Sequence, residues 1–232
     1  PHIEFLIQML KDYIEVGVLS RGYKRRTQGY RIVETSDTAL EAGDEPLQIK
    51  QKFPEIPVVV SENRAQGIPR MLRDFPQLQT ILLDDAFQHL AVKPALQILL
   101  TEFANPYSAD QLLPSGRLRE WKFGAERADV IVVSKSPEGL GPSDFMLWRS
   151  KLKLRAHQEL FFSRIEYGEP YSVFEPEKIF RINPGLQILL ISAIAQSSYL
   201  VDYLSDKVAS VINYNFEDHH YLNRSIHNFL KY

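Results

Sequence analysis

The strongest constraint on this chain is a succession of short apolar runs, too brief for helices and too apolar for half-exposed strands. They lie at Glu15–Leu19, Arg31–Val33, Pro57–Val60, Thr80–Leu83, Leu96–Leu100 and Val130–Val133. Strands that are apolar on both faces belong in a sheet covered on both sides, and that arrangement is typical of parallel sheets. The intervening stretches are long enough for helices, as at Glu62–Phe75 and Ser143–His157. Alternation of strand and helix predicts an α/β fold with a mostly parallel sheet and helices on both faces. Ahead of the first run, Ile3, Leu6, Ile7, Leu10 and Ile14 follow the three-and-four spacing of one helical face, with Pro1 suited to a first turn.

The pattern changes near Glu159. Leu160–Ile165 and Tyr171–Phe174 read as extended segments around Gly168-Glu169-Pro170, and Leu186–Ile191, Tyr199–Leu204 and Val208–Tyr214 read as a strand, a helix and a strand. The expected organisation is a core domain over residues 1–159, followed at 160–232 by a hairpin linker and part of a smaller α/β C-terminal domain. At 232 residues and 44% hydrophobic, the chain can bury such a core. A net charge of -2 gives no bulk reason to bind nucleic acid. With no cysteine, disulfides and thiolate metal sites are excluded, so any metal must use oxygen or imidazole ligands. No apolar run approaches the roughly 20 residues that span a bilayer.

Chemistry concentrates in three places. Ile81-Leu82-Leu83-Asp84-Asp85-Ala86-Phe87-Gln88-His89 carries a buried strand into two acids, the way phosphoryl-transferring α/β proteins hold magnesium. Adjacent strand residues face opposite ways, so Asp84 and Asp85 have different tasks, and capping of the next turn is an equal alternative. Leu112–Glu120 joins a turn to Arg117, Arg119 and Glu120: guanidinium forks suit phosphate and Glu120 suits an oxygen-rich metal site, while a surface loop with an internal ion pair explains the same residues. Phe216-Glu217-Asp218-His219-His220-Tyr221 sets an aspartate beside two histidines, suited to proton transfer from a hydroxyl. Gly43-Asp44-Glu45-Pro46 offers two carboxylates or an ordinary helix start, and Arg21, Lys24, Arg25 and Arg26 form a basic loop that suits an anionic substrate, membrane headgroups or plain solvent.

Taken in order, Val18-Leu19-Ser20-Arg21-Gly22-Tyr23, Gly43-Asp44-Glu45-Pro46, Asp84–His89, Leu113–Glu120 and Asp218-His219-His220 resemble the tetraacyldisaccharide 4'-kinase family. The resemblance implies a P-loop NTPase-like fold and Mg2+-dependent transfer of the ATP γ-phosphate to the 4'-hydroxyl of the lipid A disaccharide 1-phosphate precursor. The enzyme would work as a peripheral protein, expected to be monomeric, at the cytoplasmic face of the bacterial inner membrane. By the same resemblance Asp44 is the catalytic carboxylate, acting with His219 or His220, with Asp84, Asp85 and Glu120 as metal-organising acids and Arg119 and His89 as neighbouring active-site groups. The family's phosphate-cradling loop ends in Gly-Lys-Thr-Pro before the first helix. No ATP-loop residue is therefore assigned within the chain: the loop is expected upstream of Pro1, and the chain is expected to be a fragment at both ends, inactive alone. Ala86 stands where the family usually has glycine, and Ser192-Ala193-Ile194-Ala195 departs from its Gly-Ile-Ala pattern. Two other readings remain: a metal-dependent phosphoesterase built from Asp84, Asp85, Asp218, His219 and His220, and a non-catalytic binding domain.

Overall fold

The computed structural model describes residues 1–172, 175, 177–194 and 196–216. The chain divides into two compact units, Pro1–Ile165 and Glu166–Tyr232. In the first unit, α1 (His2–Leu10), β1 (Val16–Ser20), β2 (Arg31–Ile32), α2 (Ala39–Ala42), α3 (Asp44–Lys52), β3 (Val58–Val60), α4 (Arg64–Asp74) and β4 (Thr80–Leu83) come first. They are followed by β5 (Ile98–Glu102), a 3-10 turn at Lys122–Arg127, β6 (Val130–Ser134), α5 (Pro142–Leu152) and β7 (Glu159–Phe162).

The strands of this unit form two sheets. The first runs β2-β3-β1-β4, with β1 parallel to both β3 and β4 and only the two-residue β2 antiparallel to its neighbour. The second runs β5-β6-β7 and is parallel throughout. β1 and β3 are buried along their whole length, as their unbroken apolarity requires. Their side chains alternate between two cores. Val18, Val58 and Val60 pack with Ile7, Ile49 and Phe53 from α1, α3 and the residue after it, whereas Leu19 and Val59 pack with Met71 of α4 and Leu78. Helices thus cover both faces of the first sheet.

The second sheet buries Ile131, Val133 and Leu160 against Trp148 and Leu152 of α5. Trp148 is 3% exposed and meets the Phe103 ring at 4.8 Å and the Phe162 ring edge-on at 6.0 Å. Leu160–Ile165 therefore does not belong to a hairpin linker. Leu160 and Phe162 face Trp148 from the third strand of the core sheet, and the division between the units falls after Ile165 rather than after Glu159. Of the expected partner segment Tyr171–Phe174, Tyr171 makes an isolated bridge to Ile179, and residues 173 and 174 lie outside the described residues. In the second unit β8 (Gln187–Ser192), α6 (Ser198–Ser205) and β9 (Ser210–Asn215) form a parallel strand-helix-strand unit.

Because Trp148 joins α5 to both β6 and β7, its truncation should cost about 3–5 kcal/mol. Trp148→Ala is expected to lower the urea midpoint accordingly, and an unchanged midpoint would show that this cluster does not hold the second sheet.

Candidate functional site

The carboxyl ends of β1, β3 and β4 lie side by side, since β1 pairs in parallel with both neighbours. Ligands of open α/β sheets bind outside such strand ends. β1 ends at Ser20, whose hydroxyl donates to Asp84 Oδ2 at 3.4 Å across the end of β4. Beyond β3, Asn63 caps α4 by accepting from the Gln66 amide at 3.2 Å, which places Arg64 in the first helical turn. Arg64 is 3% exposed, and its Nη2 donates to the carbonyls of Asp84 at 2.6 Å and Asp85 at 3.0 Å. The guanidinium therefore fixes the backbone from which both acids project.

The two aspartates have different surroundings. Asp84 is half-buried; burial pushes its carboxyl above the usual range, the Asp85 charge adds to this, and the Ser20 hydrogen bond opposes it. Asp85 is exposed and pairs with Arg119 at 3.1 Å, both side chains in solvent. Its φ of 41° puts Asp85, not Ala86, in the left-handed region, so an alanine at position 86 carries no backbone penalty there.

Glu120 turns elsewhere. Arg127 holds both of its oxygens, at 2.6 and 2.8 Å, and also donates to the Phe87 carbonyl at 2.7 Å while lying 4.1 Å over the Phe87 ring. Glu120 is tied to the Asp84–His89 segment through Arg127, and no three His, Asp or Glu residues among those described cluster closely enough to hold a metal ion. His89 lies in the same segment with Nε2 buried and without a hydrogen-bond partner. Asp44 opens α3, where its Oδ1 accepts from the Glu45 amide at 2.9 Å. Before it, Gly43 has φ 91°, and a Cβ there would come within 3.1 Å of the Gly22 backbone. This close approach sets Asp44 beside the loop that follows Ser20. Asp218, His219 and His220 lie outside the described residues.

That loop is held from below. Arg26 N donates to Leu40 O at 2.7 Å, and the Thr27 hydroxyl to Glu41 O at 2.5 Å. Arg25 turns inward to Glu62 and to the Gly29 carbonyl, both at 2.5 Å, so the basic run is only partly a solvated face. Residues 21–29 and Glu62 line an open cavity of about 600 Å3. Arg64, Arg127 and Ser20 were not legible as site residues. For Arg64 a signal existed, because a cation in the first turn opposes the helix dipole and so implies another partner.

Two outcomes follow from this geometry. Arg64→Ala removes two charge-assisted hydrogen bonds to backbone carbonyls and should destabilise the fold by about 3 kcal/mol, as read from urea unfolding. An elevated folded-state pKa stabilises only below the unfolded pKa, and that stability is lost as pH rises through the folded value. Asp84→Asn should therefore raise Tm at neutral pH, with the gain vanishing below the ordinary carboxylate range. A constant gain at all pH values would show that Asp84 is not strained by its charge.

The profile of the LpxK family, described as tetraacyldisaccharide-1-P 4'-kinase, matches residues 1–232. The chain is 44% identical over 230 residues to a tetraacyldisaccharide 4'-kinase of Parabacteroides distasonis, covering 97% of this chain and 62% of the relative. It is 39% identical to that of Bacteroides thetaiotaomicron, covering 95% and 61%. The chain thus spans about three-fifths of the length of these relatives. Among solved structures, the "apo" form of LpxK from Aquifex aeolicus in complex with ATP superimposes with a TM-score of 0.65 at 26% identity, over 94% of this chain and 66% of that one. The α/β architecture is accordingly of the P-loop kinase type. With a family match over residues 1–232 and 44% identity to a relative over 97% of its own length, the chain belongs to the tetraacyldisaccharide-1-P 4'-kinase family.

Proposed function

We propose that the protein carrying this chain transfers the γ-phosphate of ATP to the 4'-hydroxyl of a tetraacyldisaccharide 1-phosphate. The observation that carries this reading is the family match over residues 1–232. The site described above supplies chemistry consistent with it. Phosphoryl transfer asks little covalent work of a protein, so positioning and charge stabilisation dominate. The acceptor oxygen bonds to the γ-phosphorus as the bond to the bridging oxygen of ADP breaks, and the hydroxyl proton must leave.

Asp44 takes that proton in this reading, helped by His219 or His220. Arg119 neutralises charge on the transferring group. Its solvent-exposed pairing with Asp85 is of the kind worth only about 0–1 kcal/mol, so it can exchange partners at low cost. Arg21 and Arg26, lining the cavity beside Asp44, suit an anionic acceptor.

Mg2+ fits at Asp84. A half-buried carboxyl raised by its own burial, with the Ser20 hydroxyl beside it, is relieved by a cation, and Mg2+ typically takes only one or two carboxylates plus substrate phosphates. When bound it neutralises phosphate charge; Asp84 and Ser20 would hold it, while Asp85 and Glu120 stay with their arginines or join through movement. Such a cation needs no large protein cage. A phosphoesterase is less favoured by the relatives' names.

In this reading the protein works as a peripheral monomer at the cytoplasmic face of the inner membrane, where it would meet an acyl-bearing acceptor. Among the described residues no helix is long and apolar enough to cross a membrane.

The test is transfer of labelled γ-phosphate from ATP to a tetraacyldisaccharide 1-phosphate by the full-length protein in mixed micelles. Asp44→Ala should lower kcat by at least about a hundredfold, the scale of a lost general base. No transfer by the folded parent protein would refute the assignment, and an undiminished variant would refute the role of Asp44.

A further inference from the structure

The loop that leads from β5 into the 3-10 turn carries three large apolar side chains outward: Leu113 is 62% exposed, Trp121 63% and Phe123 70%. The backbone beneath them is braced. Asp110 Oδ1 accepts from the Gln111 amide at 2.7 Å and the Arg117 amide at 3.2 Å. Leu113 N donates to Leu118 O at 3.0 Å, and Leu118 N to Gln111 O at 2.9 Å. A Cβ on Gly116 would lie 2.3 Å from the Gln111 carbonyl, so this turn closes main chain on main chain. At the far end Gly124 N donates to Trp121 O at 2.8 Å, and Arg127 Nη1 donates to the Gly124 carbonyl at 2.9 Å. The loop is built before any partner arrives, so presenting its apolar side chains costs little ordering on binding.

The charges set among these side chains are basic on balance. Within residues 111–123, Arg117, Arg119 and Lys122 stand against one acid, Glu120, and both oxygens of that acid are held by Arg127 from outside the segment. Arg117 and Arg119 keep most of their side chains in solvent while pairing with Asp110 and Asp85, and pairs of that kind are screened and weak. Apolar tips separated by charged residues along one loop do not make the continuous surface of about 800 Å2 per partner that a stable protein complex buries. Aromatic rings alternating with arginine and lysine are the composition of membrane-interface segments, where rings sit at the headgroup level and cations meet anionic phosphates.

We propose that the loop of Leu113, Trp121 and Phe123 is a docking surface for an anionic bilayer, its apolar side chains entering the headgroup region while Arg117 and Lys122 meet lipid phosphates. This rests on the peripheral membrane placement proposed above and adds to it the face that touches the lipid. Arg119 lies within the same loop and pairs with Asp85, so docking here brings the end of β4 to the bilayer surface. An acceptor held in the membrane by its acyl chains then reaches the site without leaving the lipid.

The full-length protein is mixed with vesicles of phosphatidylethanolamine and phosphatidylglycerol, with neither acceptor nor nucleotide present. Co-sedimentation and quenching of tryptophan fluorescence by brominated lipid are both measured. Trp148 is 3% exposed and stays in its core, so it adds no quenched signal. Trp121→Phe is expected to retain binding and to lose a quenched component. Trp121→Ala is expected to weaken binding roughly tenfold, the scale of one large apolar side chain left unburied, with an unchanged urea midpoint. Quenching undiminished in Trp121→Phe, or a Trp121→Ala variant that binds as well as the parent, would overturn the surface. A raised KM for the acceptor in detergent micelles with vesicle binding intact would give these side chains to the acceptor's acyl chains and overturn it too. A folded parent that ignores vesicles would overturn the surface and the peripheral placement together, while phosphate transfer in micelles, which needs no bilayer, judges the kinase reading separately.

Discussion

The arrangement around Asp84 depends on one buried cation. Arg64 sits under the ends of β3 and β4 and donates to two successive carbonyls, those of Asp84 and Asp85. Without such a donor the chain leaving β4 would carry unpaired carbonyls just where it must turn, and buried unsatisfied groups are costly. Burial depresses the guanidinium's pKa, the two aspartates oppose that shift, and arginine's very high intrinsic pKa keeps it charged. Both bonds leave a single nitrogen, Nη2, so one end of the guanidinium serves two successive acceptors. Fold and site therefore meet in a single side chain.

From that point the remaining groups are arranged by successive arginine contacts. Arg119 meets Asp85 in solvent, while Arg127 binds Glu120, the Phe87 carbonyl and the Phe87 ring at once. The first contact is loose and the second is many-sided. A site built this way has a fixed acid, Asp84, flanked by groups with different freedom to move. Such gradation would suit the proposed phosphoryl transfer, in which ligands must enter and leave in turn.

The sheet was legible because its strands carry no polar face: Val16–Ser20 and Val58–Val60 admit no other placement than between two layers. The split into two sheets was not, because pairing partners are set by contacts distant in sequence, such as Val130 with Glu159. Leu160–Phe162 illustrates the point. Its local pattern fits a linker hairpin as well as a core strand, and only Trp148, brought in by α5, decides between them. Asp84 and Asp85 were visible as chemistry because acids rarely end an apolar strand without reason. The partners of Arg64 were hidden by sequence distance, and Glu120 read equally as a metal-organising acid or as half of an ion pair within its own loop, whereas its partner Arg127 lies across a 3-10 turn.

The contact between Gly43 and Gly22 has a further consequence. Where a Cβ on Gly43 would stand, the backbone of the opposite loop is already within about 3 Å. The spacing between the Ser20 loop and the start of α3 is thus set by main chain against main chain, with no side chain whose size could adjust it. Any side chain at position 43 would therefore press on the Gly22 backbone and push the Ser20 loop away from the start of α3.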